Sequence, residues 1–150
     1  MLFLFGTREG GHMKKELKIA LVGAGMFGGD VHLRAYCQLE KYGLIPWLGR
    51  LGLDFLAEAL EGISIRFVAL GTRSETTCRA RRDEFGKLGM DFAVYHGETP
   101  WQNIVRDYPD LDILAVATPD HLHTPPILAA LRAGVHVITE KPMALDGREA

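Results

Sequence analysis

The residues best suited to chemistry come early in the chain. Val22 is followed by Gly23-Ala24-Gly25-Met26-Phe27-Gly28, a GxGxxG run between an apolar, strand-like stretch and a helical one. Gly23 can take the tight turn, Gly25 removes a side chain where a pyrophosphate must approach the backbone, and Gly28 lets the next helix pack close to the strand. The helix N-terminus then offers free N–H groups and the positive end of a dipole to phosphate oxygens. The same spacing also recurs as a glycine-rich loop with no ligand. It is the strand–turn–helix setting that points to a dinucleotide and makes Gly23, Ala24, Gly25, Met26, Phe27 and Gly28 the expected cradle.

A second cluster, Thr72-Arg73-Ser74, closes the next apolar run. Dinucleotide folds normally keep an acid there, roughly 20 residues after the glycines, to hold the ribose hydroxyls. No acid stands at this point, and the separation is far longer because of the stretch 43–62. An arginine with hydroxyl neighbours suits a 2′-phosphate, which an aspartate would repel. Thr72, Arg73 and Ser74 therefore favour NADP, with NAD as the alternative. The plainer reading is that Arg73 is a solvated turn residue.

The elements that must position these groups can be read from periodicity. Apolar runs at 18–22, 65–70, 92–95, 113–117 and 135–139 have the look of buried parallel strands. Helical stretches lie between them: after Gly28, from about Ser74, from Thr99-Pro100-Trp101-Gln102 (a capping box with proline in the first turn), and from Pro125 to Ala133 before Gly134. Asp146 to Glu149 reads as the first turn of one more helix. Apolar Leu51, Phe55, Leu56 and Leu60 predict a short helix inside 43–62. The alternation predicts an α/β fold, a doubly wound parallel sheet of the Rossmann type, with strands in the order 3-2-1-4-5 and the glycine turn at its carboxyl edge.

Composition sets limits. With 150 residues, 47% hydrophobic and 24% charged, the chain can bury one proper core. A net charge of −2 gives no electrostatic reason to expect nucleic acid or an anionic membrane as partner. No run of about 20 apolar residues is present to span a bilayer. Cys37 and Cys78 form no CxxC pair, which favours a cytoplasmic setting and buried, unreactive thiols. His121, His123 and His136 lack zinc-site spacing, so no metal is expected. Residues 1–16 are set apart as a mobile extension or a cloning remnant, with Gly10-Gly11-His12-Met13 as the suspect seam.

Residues 116–142 read VATPDHLHTPPILAALRAGVHVITEKP, a TPxxxH turn, a helix, a glycine, a strand and Glu-Lys-Pro. Together with GAGMFGGDVHLRAY at 23–36, this resembles the glucose-fructose oxidoreductase / inositol dehydrogenase / MocA family over roughly residues 17–150. The resemblance implies that Thr118, Pro119 and Asp120 lie beside the nicotinamide half of the cofactor. The family often has Asn where Asp120 stands. It implies a role for His123 in the chemistry; the alternative is a helix-start residue bonding nearby backbone. It places Lys141 by the substrate carbon, where an ammonium whose pKa burial lowers can stabilise an alkoxide or relay a proton. Glu140 would orient the neighbourhood, and Pro142 would fix the backbone through a cis bond to Lys141. The implied substrate is a sugar, polyol or cyclitol, and the implied full-length form is a homo-oligomer. A second, substrate-binding domain is expected beyond residue 150, leaving 17–150 an incomplete dinucleotide-binding domain without turnover of its own. The competing expectations are a non-catalytic NAD(P)-binding regulatory module, since at least one member of that family is a regulator, and a fragment with no independent function.

Overall fold

The computed structural model describes residues 7–9, 12–148 and 150. Six strands occur among them: β1 (Thr7–Glu9), β2 (His12–Val22), β3 (Ile63–Thr72), β4 (Ala93–His96), β5 (Ile113–Val116) and β6 (His136–Thr139). Five are parallel neighbours in the order β4-β3-β2-β5-β6. That is the 3-2-1-4-5 arrangement expected from the alternation of strands and helices. β1 pairs antiparallel with β2, Thr7 opposite Lys14. This strand was not foreseen, and β2 itself begins at His12 where the sequence reading starts the fold at 17. Lys15 and Glu16 are held in register with Ile63 and Ser64, so these residues belong to the sheet. Gly10 and Gly11 lie outside the described residues.

The strands are apolar on both faces because both are covered. In β2, Ile19 and Leu21 face one side while Ala20 and Val22 face the other. The first side is covered by α1 (Arg34–Tyr42) and α4 (Glu75–Gly86), with Leu33, Tyr36, Cys37 and Phe85 around Phe67. The second is covered by α5 (Pro100–Asp107) and α6 (Thr124–Arg132), with Trp101, Ile104, Ile127 and Ala130. Phe67 is fully buried, stacked on Tyr36 and met edge-on by Phe92 at 5.0 Å. Burying such a side chain contributes about 1.5–3 kcal/mol. The β2–β3 register shifts between Ile19 and Ala20, where Val68 is the extra residue. This bulge keeps Phe67 and Leu70 both on the α1 side.

Local signals account for most element ends. Ser74 Oγ accepts from the Thr77 amide and starts α4. Gly134, at φ +76°, turns the chain out of α6. Pro100 opens α5 as expected, but the Thr99 side chain makes no capping bond, so the capping box is absent. The stretch 43–62 does hold helix: α2 (Ile45–Leu51), a 3-10 turn (Asp54–Leu56) and α3 (Ala57–Leu60). Its apolar pattern is not a core stripe, however. Leu51 and Phe55 are exposed, and Leu48 supplies the buried contact instead. Residues 145–148 are bend and turn rather than helix. The Arg148 guanidinium and amide both bond the Asp146 carboxylate there. Both cysteines are buried, and the Cys78 thiol donates to the Tyr95 carbonyl. Among the described residues no helix is long and apolar enough to cross a membrane.

Candidate functional site

The carboxyl ends of β2, β3, β5 and β6 carry the groups singled out by sequence. At the end of β2, Gly23 has φ +100°, and a Cβ there would sit 2.3 Å from the Ala117 carbonyl oxygen. A Cβ on Gly28 would meet the Gly23 oxygen at 2.2 Å. Both positions are closed to any side chain by backbone. Gly25 is different: a Cβ there would enter open space, with nothing within 4 Å. Ala24 is buried beneath the turn, while Met26 and Phe27 point outward, 72% and 57% exposed. The helix opens at Met26 with eight residues in π geometry, Met26–Leu33, before continuing as α1. Such wide turns are rare and recur at functional sites.

At the end of β3 the three residues separate. Thr72 is buried, and its hydroxyl donates to the Ser74 carbonyl. The Ser74 hydroxyl is the α4 cap. Arg73 extends into solvent, as does the exposed Ser74, with Arg73 Nε donating to Glu98 Oε1 at 3.0 Å. The hydroxyls expected to share a phosphate with Arg73 are thus largely committed to the turn.

At the end of β5, Thr118 Oγ1 is buried and has no hydrogen-bond partner. Pro119 and Asp120 are exposed, Asp120 opening a short 3-10 turn, Asp120–Leu122. His123 is fully buried. One ring nitrogen lies 2.8 Å from the Thr118 carbonyl oxygen and the other 2.8 Å from that of Pro142. Each nitrogen faces a backbone carbonyl. The geometry corresponds to the alternative reading, a residue bonding nearby backbone, and joins the β5 turn to the β6 end.

At the end of β6, the Glu140 amide donates to the Val116 carbonyl, and Oε1 lies 2.6 Å from His32 Nε2. That bond, helped by the neighbouring Lys141 charge, holds the Glu140 carboxyl below its ordinary range. The Tyr36 phenol, 3.4 Å from the other His32 nitrogen, is pushed up to about 12 by burial and the Glu140 charge. Lys141 is exposed rather than buried, and the Lys141–Pro142 bond is cis. Sequence reasoning missed His32, Tyr36 and Glu98. His32 and Tyr36 are four residues apart within 23–36, one helical turn, which was their signal. Nothing in the sequence marked Glu98.

The residues fit a nicotinamide dinucleotide. An open backbone cradle at a helix start and a buried, unpartnered hydroxyl on the adjacent strand end are both places a bound ligand would satisfy. The family model described as "Oxidoreductase family, NAD-binding Rossmann fold" (GFO_IDH_MocA) matches residues 17–150. A levoglucosan dehydrogenase from Pseudarthrobacter phenanthrenivorans is 30% identical over 136 residues, 91% of this chain and 29% of that protein. Inositol 2-dehydrogenase 4 from Saccharopolyspora erythraea is 26% identical across 91% of this chain and 31% of its own length. A levoglucosan dehydrogenase solved with NADH and levoglucosan superposes with TM-score 0.65 at 26% identity, over 90% of this chain and 30% of that one. The chain thus spans under a third of these relatives. It belongs to the GFO_IDH_MocA family of oxidoreductases, and residues 17–150 are its NAD-binding Rossmann domain.

Proposed function

We propose that the chain is the cofactor-binding part of an NAD(P)-dependent dehydrogenase or reductase acting on a sugar, polyol or cyclitol carbon. The observation that carries this is the unequal state of the three glycines: Gly23 and Gly28 are closed by backbone, and Gly25 is open at the helix start. A phosphate bridge can rest on Gly25 and accept from the amides around Met26. Thr118, Pro119 and Asp120 at the β5 end belong to the nicotinamide half, and the unpartnered Thr118 hydroxyl is a polar group left for it. Arg73 favours the 2′-phosphate of NADP(H) by about 1–2 kcal/mol where the two pair directly.

When bound, the nicotinamide supplies the chemistry of hydride transfer. The chain's own part is to manage the oxygen of the reacting carbon. Lys141 Nζ, exposed at the β6 end, donates to that oxygen and passes or takes its proton as charge develops there. Glu140, anchored on His32, fixes the backbone before Lys141, and the His123 clip fixes it after. His123 is then a positioning residue for Lys141. Because the relatives are about three times longer, the remaining substrate contacts are assigned to sequence outside these 150 residues. A cytoplasmic, homo-oligomeric full-length enzyme completes the proposal.

Titration of NADH and NADPH, followed by cofactor fluorescence, tests the reading. Binding of at least one is expected, lost in Gly25→Val with the circular dichroism unchanged. No binding of either by the unaltered protein would refute it. The 150-residue polypeptide is expected to bind without turnover, and sustained reduction of cofactor with a sugar or polyol would contradict that division of labour.

A further inference from the structure

The one charged side chain that the end of β3 offers to a dinucleotide is Arg73, and it has a partner. Its Nε donates to Glu98 Oε1 at 3.0 Å. The backbone sets up this contact. The Gly97 amide donates to the carbonyls of Thr72 and Arg73, at 3.1 and 3.3 Å. Gly97 has φ +122°, a conformation open to glycine and costly for other residues. The residue before Glu98 is therefore fastened to the residue that bears the guanidinium. The β3 end in turn adjoins the glycine turn, since the Gly23 amide donates to the Gly71 carbonyl at 2.8 Å. Cradle, Arg73 and Glu98 lie along one hydrogen-bonded edge. Positions 71–74, where these folds keep a ribose-binding carboxylate, contain no acid.

We propose that Glu98 is a cofactor-specificity residue, supplying from the β4 loop the carboxylate that β3 lacks and, as the partner of Arg73, limiting the preference for NADP(H) over NAD(H). The proposal rests on the dinucleotide reading above. A guanidinium presents five donors in a planar fork. Glu98 takes Nε and leaves the terminal nitrogens. A 2′-phosphate drawn to those nitrogens brings a second anion close to the Glu98 carboxylate, and the two repel. A free 2′-hydroxyl finds in the same carboxylate an acceptor. Arg73 and Glu98 side chains are 78% and 77% exposed, so water and salt screen the effect. Its expected size is about fivefold in relative affinity at low ionic strength, less in high salt. The nearby acid Glu75 is paired with Arg79 at 2.5 Å and is not directed at Arg73.

The test is fluorescence titration of NADH and NADPH into the unaltered protein, Glu98→Gln, Arg73→Ala, the double variant and Glu75→Gln. All these side chains are on the surface, and circular dichroism checks that each variant is folded. Glu98→Gln is expected to raise the NADPH:NADH affinity ratio about fivefold, and to raise it by less when Arg73 is already alanine, where only the acceptor for the 2′-hydroxyl is lost. A ratio in Glu98→Gln within about twofold of the unaltered protein overturns the proposal, given titration error on this scale. So does an equal rise in Glu75→Gln, which would reflect bulk charge rather than the Arg73 pair. If the unaltered protein binds neither nucleotide, the dinucleotide reading fails and takes this proposal with it. If it binds both and only the ratio is unmoved, the assignment of Glu98 alone fails.

Discussion

Three glycines of one motif do three separable jobs, and substitutions should separate them. Gly28→Ala forces a Cβ against the Gly23 carbonyl and is expected to cost about 1–3 kcal/mol in urea unfolding. Gly25→Ala meets nothing and sits at an ordinary φ of −65°, so its unfolding midpoint should match the unaltered protein while nucleotide affinity drops. Equal stability loss in both variants would show that the motif is only a packing device. His123 makes a contrasting case. Replacing it with alanine empties a buried site and removes the ring that bridges the Thr118 and Pro142 carbonyls, a loss of about 2–4 kcal/mol. The glycine roles were legible because a missing side chain at fixed spacing has few physical explanations. The His123 clip was legible only as an alternative. Its partners are backbone carbonyls, one of them 19 residues away, and backbone carries no sequence label.

Between elements, the contact of most consequence runs from the glycine helix to the β6 end, His32 to Glu140. A carboxyl held below its ordinary range when folded contributes stability above its unfolded value, and that contribution is lost as pH falls through the folded value. The link should therefore be intact at neutral pH and fail below the ordinary carboxyl value of 4.5. Urea unfolding of the unaltered protein and Glu140→Gln should differ at pH 7 and converge as pH falls through the lowered Glu140 value; a gap that persists once the carboxyl is protonated would exclude the carboxylate as its source. Strand order was legible because buried parallel strands read as continuous apolar runs separated by helices. The strand at Thr7–Glu9 was not, since its three residues, Thr-Arg-Glu, have no apolar periodicity. Nor was the outward face of 43–62, where Leu51 and Phe55 have helical spacing but the helices end before a stripe can form.

For the molecule as a whole, the five parallel strands end at β4 and β6, and β6 pairs only with β5 among the described residues. Its sequence, His-Val-Ile-Thr, has high β-propensity, and Ile138 is 44% exposed. Open ladder groups on such a strand invite another chain. The 150-residue polypeptide studied alone should self-associate, and Ile138→Lys should reduce the associated fraction in light scattering. Association untouched by that change would place the contact elsewhere. The same strand end bears on motion. Lys141 follows Glu140, which is latched to the glycine helix by one partly exposed bond, and precedes Pro142, which is seated on the sealed imidazole of His123. A latch that opens beside a pivot that does not leaves the ammonium an arc rather than a volume to explore. Release of the Glu140 carboxylate leaves its amide on the Val116 carbonyl, so the backbone at Lys141 stays tied on both sides and only its side chain sweeps.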